Sequence, residues 1–181
     1  MKNTIHHTII CAGFGGQGIM VLGKVIAEAG MLAGMNVTWL PSYGAEVRGG
    51  TAHSAIRISS GKIASPIVSG TDTAIIMNGP SLDKFEKRIV PGGLLVLNTS
   101  MAERTSDRKD IEIANAPLTE EAIKLGNIRV ANIIAVGIYL SKRNILTKDA
   151  AVEAIKKMGS GKKELVEINI KALELGMEIG K

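Results

Sequence analysis

Apolar residues recur along the chain with two periods, and the period changes where glycine interrupts it. Thr8, Ile9, Ile10, Cys11 and Ala12 form a short, partly β-branched run that stops at Gly13, the pattern of a buried strand. Between residues 16 and 33, Ile19, Leu22, Ile26, Ala29 and Ala33 return at steps of three and four, with Gln17, Lys24 and Glu28 on the other side. That spacing predicts an amphipathic helix, and Gly34 stands where a helix end favours a left-handed residue. Asn36, Val37, Thr38, Trp39 and Leu40 then read as a second strand halted by Pro41.

A glycine-rich loop over 42–50 leads into an extended segment over 51–59, and Ser60-Gly61-Lys62 turns the chain back through Ile63 and Ala64 to Pro66. This reads as an inserted β-hairpin. Residues 73–77 and 93–97 are two further buried strands, separated by a short helix over 81–88 and a break at Pro91-Gly92-Gly93. Helices over 128–141, 148–158 and 163–179 fill the last third, with Gly159-Ser160-Gly161 as a hinge. The alternation predicts an α/β fold: an open, mainly parallel Rossmann-like sheet with the hairpin inserted and a helical C-terminal third. No shift of composition divides the chain, so residues 1–181 read as a single domain. In the last helix two apolar stripes, Leu165-Ile168-Ala172-Leu175-Ile179 and Val166-Ile170-Leu173-Met177, make an arc wider than one packed face needs. Burial against a partner chain and burial in the protein's own core both account for it.

Composition narrows the function classes. One cysteine, Cys11, excludes a disulfide framework, a cysteine-rich zinc site and a cysteine-ligated iron–sulfur cluster carried by this chain alone. It fits a reducing cytoplasm. The longest apolar run, 133–140, is far short of the roughly 18 residues a spanning helix needs, and MKNTIHH has no apolar core of a secretory signal, so neither membrane nor export is expected. The net charge of +5 favours anionic ligands or an acidic partner. Two Tyr, two Phe and one Trp are too few stacking platforms for a nucleic-acid reader, and the lysines are dispersed.

Chemistry concentrates in two motifs. Gly13-Phe14-Gly15-Gly16-Gln17-Gly18 satisfies G-x-G-x-x-G between a strand and a helix, where glycines let backbone amides at a helix N-terminus face a phosphate. A tight turn that binds nothing is the plainer alternative. A dinucleotide enzyme would add an acid at the end of the second strand for the ribose, and Leu40-Pro41-Ser42 has none. The second motif runs from Pro41 to Ser54 and begins at the carboxyl end of the second strand, where open α/β sheets bind ligands. Arg48 offers a planar fork, Gly49 and Gly50 expose amides, and Ser42, Tyr43, Thr51 and His53 add hydrogen-bonding groups. An Arg48–Glu46 pair at a subunit contact is the other reading. His6 and His7 read as an exposed lead-in to the first strand, and Cys11 as a small core residue. No metal site and no complete catalytic set is expected.

The stretch GFGGQGIMVLGKVI, followed by SYGAEVRGGTAHSAIRIS, GNIRVANIIAVGIYL and the closing EINIKALELG, closely resembles the gamma subunit of 2-oxoacid:ferredoxin oxidoreductases over nearly the whole chain. GFGGQG is more similar to the 2-oxoglutarate type than to the pyruvate type, whose turn commonly reads GRGGQG, and branched-chain 2-oxoacid enzymes stay open. The resemblance implies a chain without catalytic residues of its own that works in a complex. Thiamine diphosphate would sit between alpha and beta subunits, iron–sulfur clusters in other chains, a ferredoxin-like delta subunit beside them, and ferredoxin would accept the electrons. Coenzyme A, the acyl acceptor, would be bound partly here, by Gly13, Gly15, Gly16, Gln17, Gly18, Ser42, Tyr43, Glu46, Arg48, Gly49, Gly50, Thr51 and His53, joined by Asn132 at a helix start. Ala45 replaces a proline common among relatives. A purely structural subunit, or a free-standing dinucleotide-binding oxidoreductase, are the alternatives.

Overall fold

The structure is a computed structural model that describes residues 4–42, 51–159 and 161–181. Six strands form one sheet: β1 (His6–Phe14), β2 (Asn36–Ser42), β3 (Thr51–Ser59), β4 (Thr71–Ile76), β5 (Ile89–Asn98) and β6 (Glu112–Ala116). Their order is β2-β3-β1-β4-β5-β6. β3 runs antiparallel to both its neighbours, and every other pairing is parallel. The helices are α1 (Ile19–Leu32), α2 (Gly79–Phe85), α3 (Leu118–Lys124), α4 (Ala131–Lys142), α5 (Lys148–Met158) and α6 (Lys163–Ile179).

The central strands are apolar at nearly every position because both faces of the sheet are covered. Ile9, Cys11, Ile75, Met77, Leu94 and Val96 point to the face carrying α1 and α3–α6, while Ile10, Ala12, Ala74, Ile76, Leu95 and Leu97 point to the α2 face. Cys11 is fully buried, and burial holds its thiol protonated, as befits a core residue.

Several expectations are corrected. Residues 61–70 contain no strand, so the hairpin partner of β3 is β2, not the segment around Ile63 and Ala64. β2 continues through Pro41, which the sheet tolerates because β2 is an edge strand. The break at Pro91-Gly92-Gly93 lies inside β5 as a bulge: Thr71 pairs with Ile89 and Thr73 with Leu94. β6 and α3 stand where no element was expected. His7 is no exposed lead-in but a buried side chain.

Most of the apolar arc of α6 packs on the chain's own core, while Leu165 and Ile179 of the first stripe stand exposed. Ala172, Leu173 and Gly176 are buried on α4, and the second stripe is half-buried against the same cluster. α4 itself is buried on all sides from Ala131 to Leu140. The two helices approach so closely that a Cβ on Gly137 would lie 2.2 Å from the Leu173 carbonyl oxygen, and one on Gly176 2.0 Å from that of Ile134. Backbone cannot yield as a side chain does. Gly176→Ala is expected to cost about 2–3 kcal/mol, read as a fall of roughly 5–10 °C in thermal midpoint by calorimetry.

His7 supplies a pH dependence. Its Nε2 lies 3.1 Å from Thr73 Oγ1 and its ring stacks on Tyr139 at 6.0 Å. Burial, with a smaller push from Arg143 against the pull of Asp72, lowers its pKa from 6.5 to about 4. The folded protein therefore keeps His7 neutral while the unfolded chain takes up a proton below 6.5, so stability is complete above that pH and declines as pH falls toward 4. Between pH 7.5 and 5 the loss from this group is about 2 kcal/mol. Urea midpoints of the wild type should fall over that range, and His7→Phe should flatten the dependence.

Candidate functional site

The parallel strands β1, β4 and β5 all deliver their carboxyl ends to one edge, and the glycine turn lies there. Gly15 and Gly16 are exposed; Gly16 and Gly18 take φ of +95° and +73°, a region where a side chain is strained. Gly18 caps α1 without a side chain, so the first-turn amides have no side-chain acceptor. An uncapped helix N-terminus carries partial positive charge and free donors, a setting suited to an oxyanion.

Gln17 holds the turn in shape. Its Oε1 accepts from the Phe14 amide (2.7 Å) and from Asn78 Nδ2 (3.2 Å), and its Nε2 donates to the Met77 carbonyl (3.1 Å). Asn78 in turn caps α2, its side chain accepting from the Ser81 amide at 2.9 Å. Asn98, at the end of β5, donates to the Met77 carbonyl (3.3 Å) and to Thr119 Oγ1 (2.9 Å). Asn132, the second residue of α4, donates from Nδ2 to the Gly18 carbonyl (3.0 Å), while its Oδ1 is buried with no partner among the described residues.

Of the residues expected at the site, Gly13, Gly15, Gly16, Gln17, Gly18 and Asn132 come together in this turn. Ser42, Thr51 and His53 reach the same edge, since Thr51 pairs with Phe14, and His53 with both Ala12 and Ser42. Their side chains share the α2 face with Ala12, opposite the helix-rich face. The His53 ring lies on Phe85, centroids 5.0 Å apart, and burial with nearby Lys84 and Arg88 lowers its pKa below 6.5. His53 thus does not join the Gln17–Asn132 group. Tyr43, Glu46, Arg48, Gly49 and Gly50 lie outside the described residues.

Asn78 and Asn98 were missed in the sequence, although each is the first polar residue after an apolar run at the edge where such sheets bind ligands. A further signal was Asn78 standing before Gly79-Pro80, a helix-start pattern.

The fold defines an α/β protein with helices on both faces of its sheet and a glycine turn at the carboxyl edge. Residues 8–179 match the family described as pyruvate ferredoxin/flavodoxin oxidoreductase, and the chain belongs to that family. It is 33% identical over 168 residues to ketoisovalerate oxidoreductase subunit VorA of Methanothermobacter thermautotrophicus, covering 92% of this chain and 35% of that protein. The chain thus spans about a third of the length of that relative. To 2-oxoglutarate synthase subunit KorC of Methanothermobacter marburgensis it is 31% identical over 175 residues, 93% of each chain. The gamma subunit of a keto/oxoacid ferredoxin oxidoreductase from Geobacter sulfurreducens superposes with a TM-score of 0.83 at 26% identity, over 96% of this chain and 98% of that one. A 2-oxoglutarate:ferredoxin oxidoreductase from Magnetococcus marinus, solved with 2-oxoglutarate, coenzyme A and succinyl-CoA bound, superposes with a TM-score of 0.87 at 26% identity, over 97% of this chain and 31% of that one.

Replacing Gln17 tests the turn directly. Gln17→Leu strands the Phe14 amide and removes one of two donors to the Met77 carbonyl, an expected cost of about 2 kcal/mol in denaturant unfolding. Gly16→Ala, which meets only the strain of its φ because nothing lies within 4 Å, should cost about 1 kcal/mol.

Proposed function

We propose that this chain is the gamma subunit of a 2-oxoacid:ferredoxin oxidoreductase and that its carboxyl edge helps to bind coenzyme A. The complex would decarboxylate a 2-oxoacid oxidatively, joining the acyl group to the coenzyme A thiol, releasing carbon dioxide and passing two electrons to ferredoxin. The observation that carries the reading is the match to 2-oxoglutarate synthase subunit KorC over 93% of both chains. The superposition on a protein holding coenzyme A and succinyl-CoA supports the choice of ligand.

The geometry of the turn supports the following roles. Amides of the glycine turn and of α1 donate to the pyrophosphate, Asn132 fixes Gly18, and Gln17 keeps the turn open toward the ligand. Arg48, with Tyr43, Glu46, Gly49 and Gly50, would complete the site from the loop between β2 and β3. Alpha and beta subunits would supply thiamine diphosphate, and they or a delta subunit the iron–sulfur clusters. 2-Oxoglutarate is the substrate that the GFGGQG turn favours; the similarity to VorA supports a branched-chain 2-oxoacid as the second reading.

In the complex reconstituted with its partner subunits, Arg48→Ala should raise the KM for coenzyme A about ten- to a hundredfold, the loss expected of a charge-assisted phosphate contact. Coenzyme A-independent decarboxylation should stay near the wild-type rate. An unchanged KM would favour a purely structural subunit. Rates with 2-oxoglutarate against branched-chain 2-oxoacids separate the two substrates.

A further inference from the structure

At the opposite edge of the sheet, where β1 begins and β3 ends, the segment 60–67 folds beside the strands and leaves a cavity of about 380 Å³. Its polar lining includes His6, His7, Arg57, Ser59, Lys62 and Ser65. Two of these are cations, and no carboxylate among the described residues lines the space. Asp72, which accepts from the Thr8 amide (2.8 Å) and hydroxyl (2.6 Å), lines a neighbouring cavity of about 210 Å³ instead.

Arg57 lines this space with its guanidinium only partly committed. One terminal nitrogen donates to the Ile67 carbonyl at 2.5 Å, and Nε is closed off from solvent, so a ligand would meet the remaining terminal N–H groups. A guanidinium has a planar set of N–H groups that matches the oxygens of one oxyanion, and Lys62, at an exposed position, adds a mobile cation on the same lining. Other polar groups are partly committed: Ser59 Oγ meets His6 Nδ1 (2.9 Å) and accepts from the Gly61 amide (3.0 Å), and Ser65 Oγ accepts from the Ile67 amide (3.2 Å). The Ser65 hydroxyl and His6 Nε2 keep hydrogen-bonding capacity to spare. The volume lies in the range of small-molecule sites, about 300–1,000 Å³.

We propose that this cavity binds a phosphate group, free or carried on a small monoester, through Arg57 and Lys62 with His6 beside them. The site shares none of its residues with the glycine turn and does not depend on the coenzyme A reading.

The test is imidazole NMR of the full chain at constant pH, titrated with inorganic phosphate, with glycerol 3-phosphate, and with chloride at matched ionic strength. Phosphate should shift the His6 resonances saturably, and chloride should not. Tighter binding of the ester places its organic part in the cavity, and equal affinity assigns the site to the bare ion. Arg57→Met should weaken the apparent affinity about tenfold and Lys62→Met severalfold. Equal shifts with chloride, or wild-type affinity in both variants, would overturn the proposal. Lys62→Met replaces an exposed side chain and decides the matter alone if Arg57→Met fails to fold.

Discussion

The last regular rung between β1 and β4 is the bond from the Met77 amide to the Ala12 carbonyl (2.8 Å). Beyond it the chain must leave the sheet and turn into α1, which would strand the Phe14 amide at the edge and leave the Met77 carbonyl to Asn98 alone. Gln17 supplies the missing unit. Its carboxamide accepts from Phe14 and donates to Met77, as a peptide group of another residue would, so the ladder continues one rung further on a side chain. Glycine at 16 and 18 lets the backbone bend back far enough for that side chain to reach. The start of α1 is thereby tied to β1 and β4, and the contact of Gly18 with Asn132 ties the start of α4 to the same point.

The two faces of the sheet are closed by different means. One is covered by α1 and α3–α6, whose packed side chains form the larger core. The other has a single short helix and irregular segments, whose carbonyls lack the partners that regular structure provides. Arginines meet them: Arg57 donates to Ile67, Arg88 to Val68 and Ser69, and Arg108 to Glu86 (2.9 Å) and Ile89 (2.7 Å). Part of the basic excess is therefore structural, spent on carbonyls of loops and of the start of β5, and does not by itself signal an anionic partner. Arg57 differs because one of its buried donors is left over.

Much of this was legible in the sequence, since buried strands and long amphipathic helices carry strong periodic patterns. β6 was not, because an edge strand bonded on one side only needs no continuous apolar run, and Glu112 and Asn115 stand exposed in it. β3 was recognised as extended but given the wrong partner. The Ser60-Gly61-Lys62 turn is a local signal, whereas pairing with β1 and β2 is decided by the whole sheet. His7 could have been placed from its register, since it alternates with Ile9 and Cys11 on the helix-rich face. At the site, the glycines announce themselves by spacing, while Asn78 and Asn98 look like ordinary turn residues until the parallel strands bring their ends to one edge.

Asn132 bears on what that edge can hold. The Gly18 carbonyl only accepts, so Nδ2 must face it and Oδ1 must face away, leaving a buried acceptor with no partner among the described residues. That oxygen is closed off from solvent, so a ligand at the edge does not meet it. Asn132 therefore acts on the turn rather than on a ligand: it fixes the Gly18 carbonyl, and the donors left for a ligand are the backbone amides of the turn and of the first turn of α1.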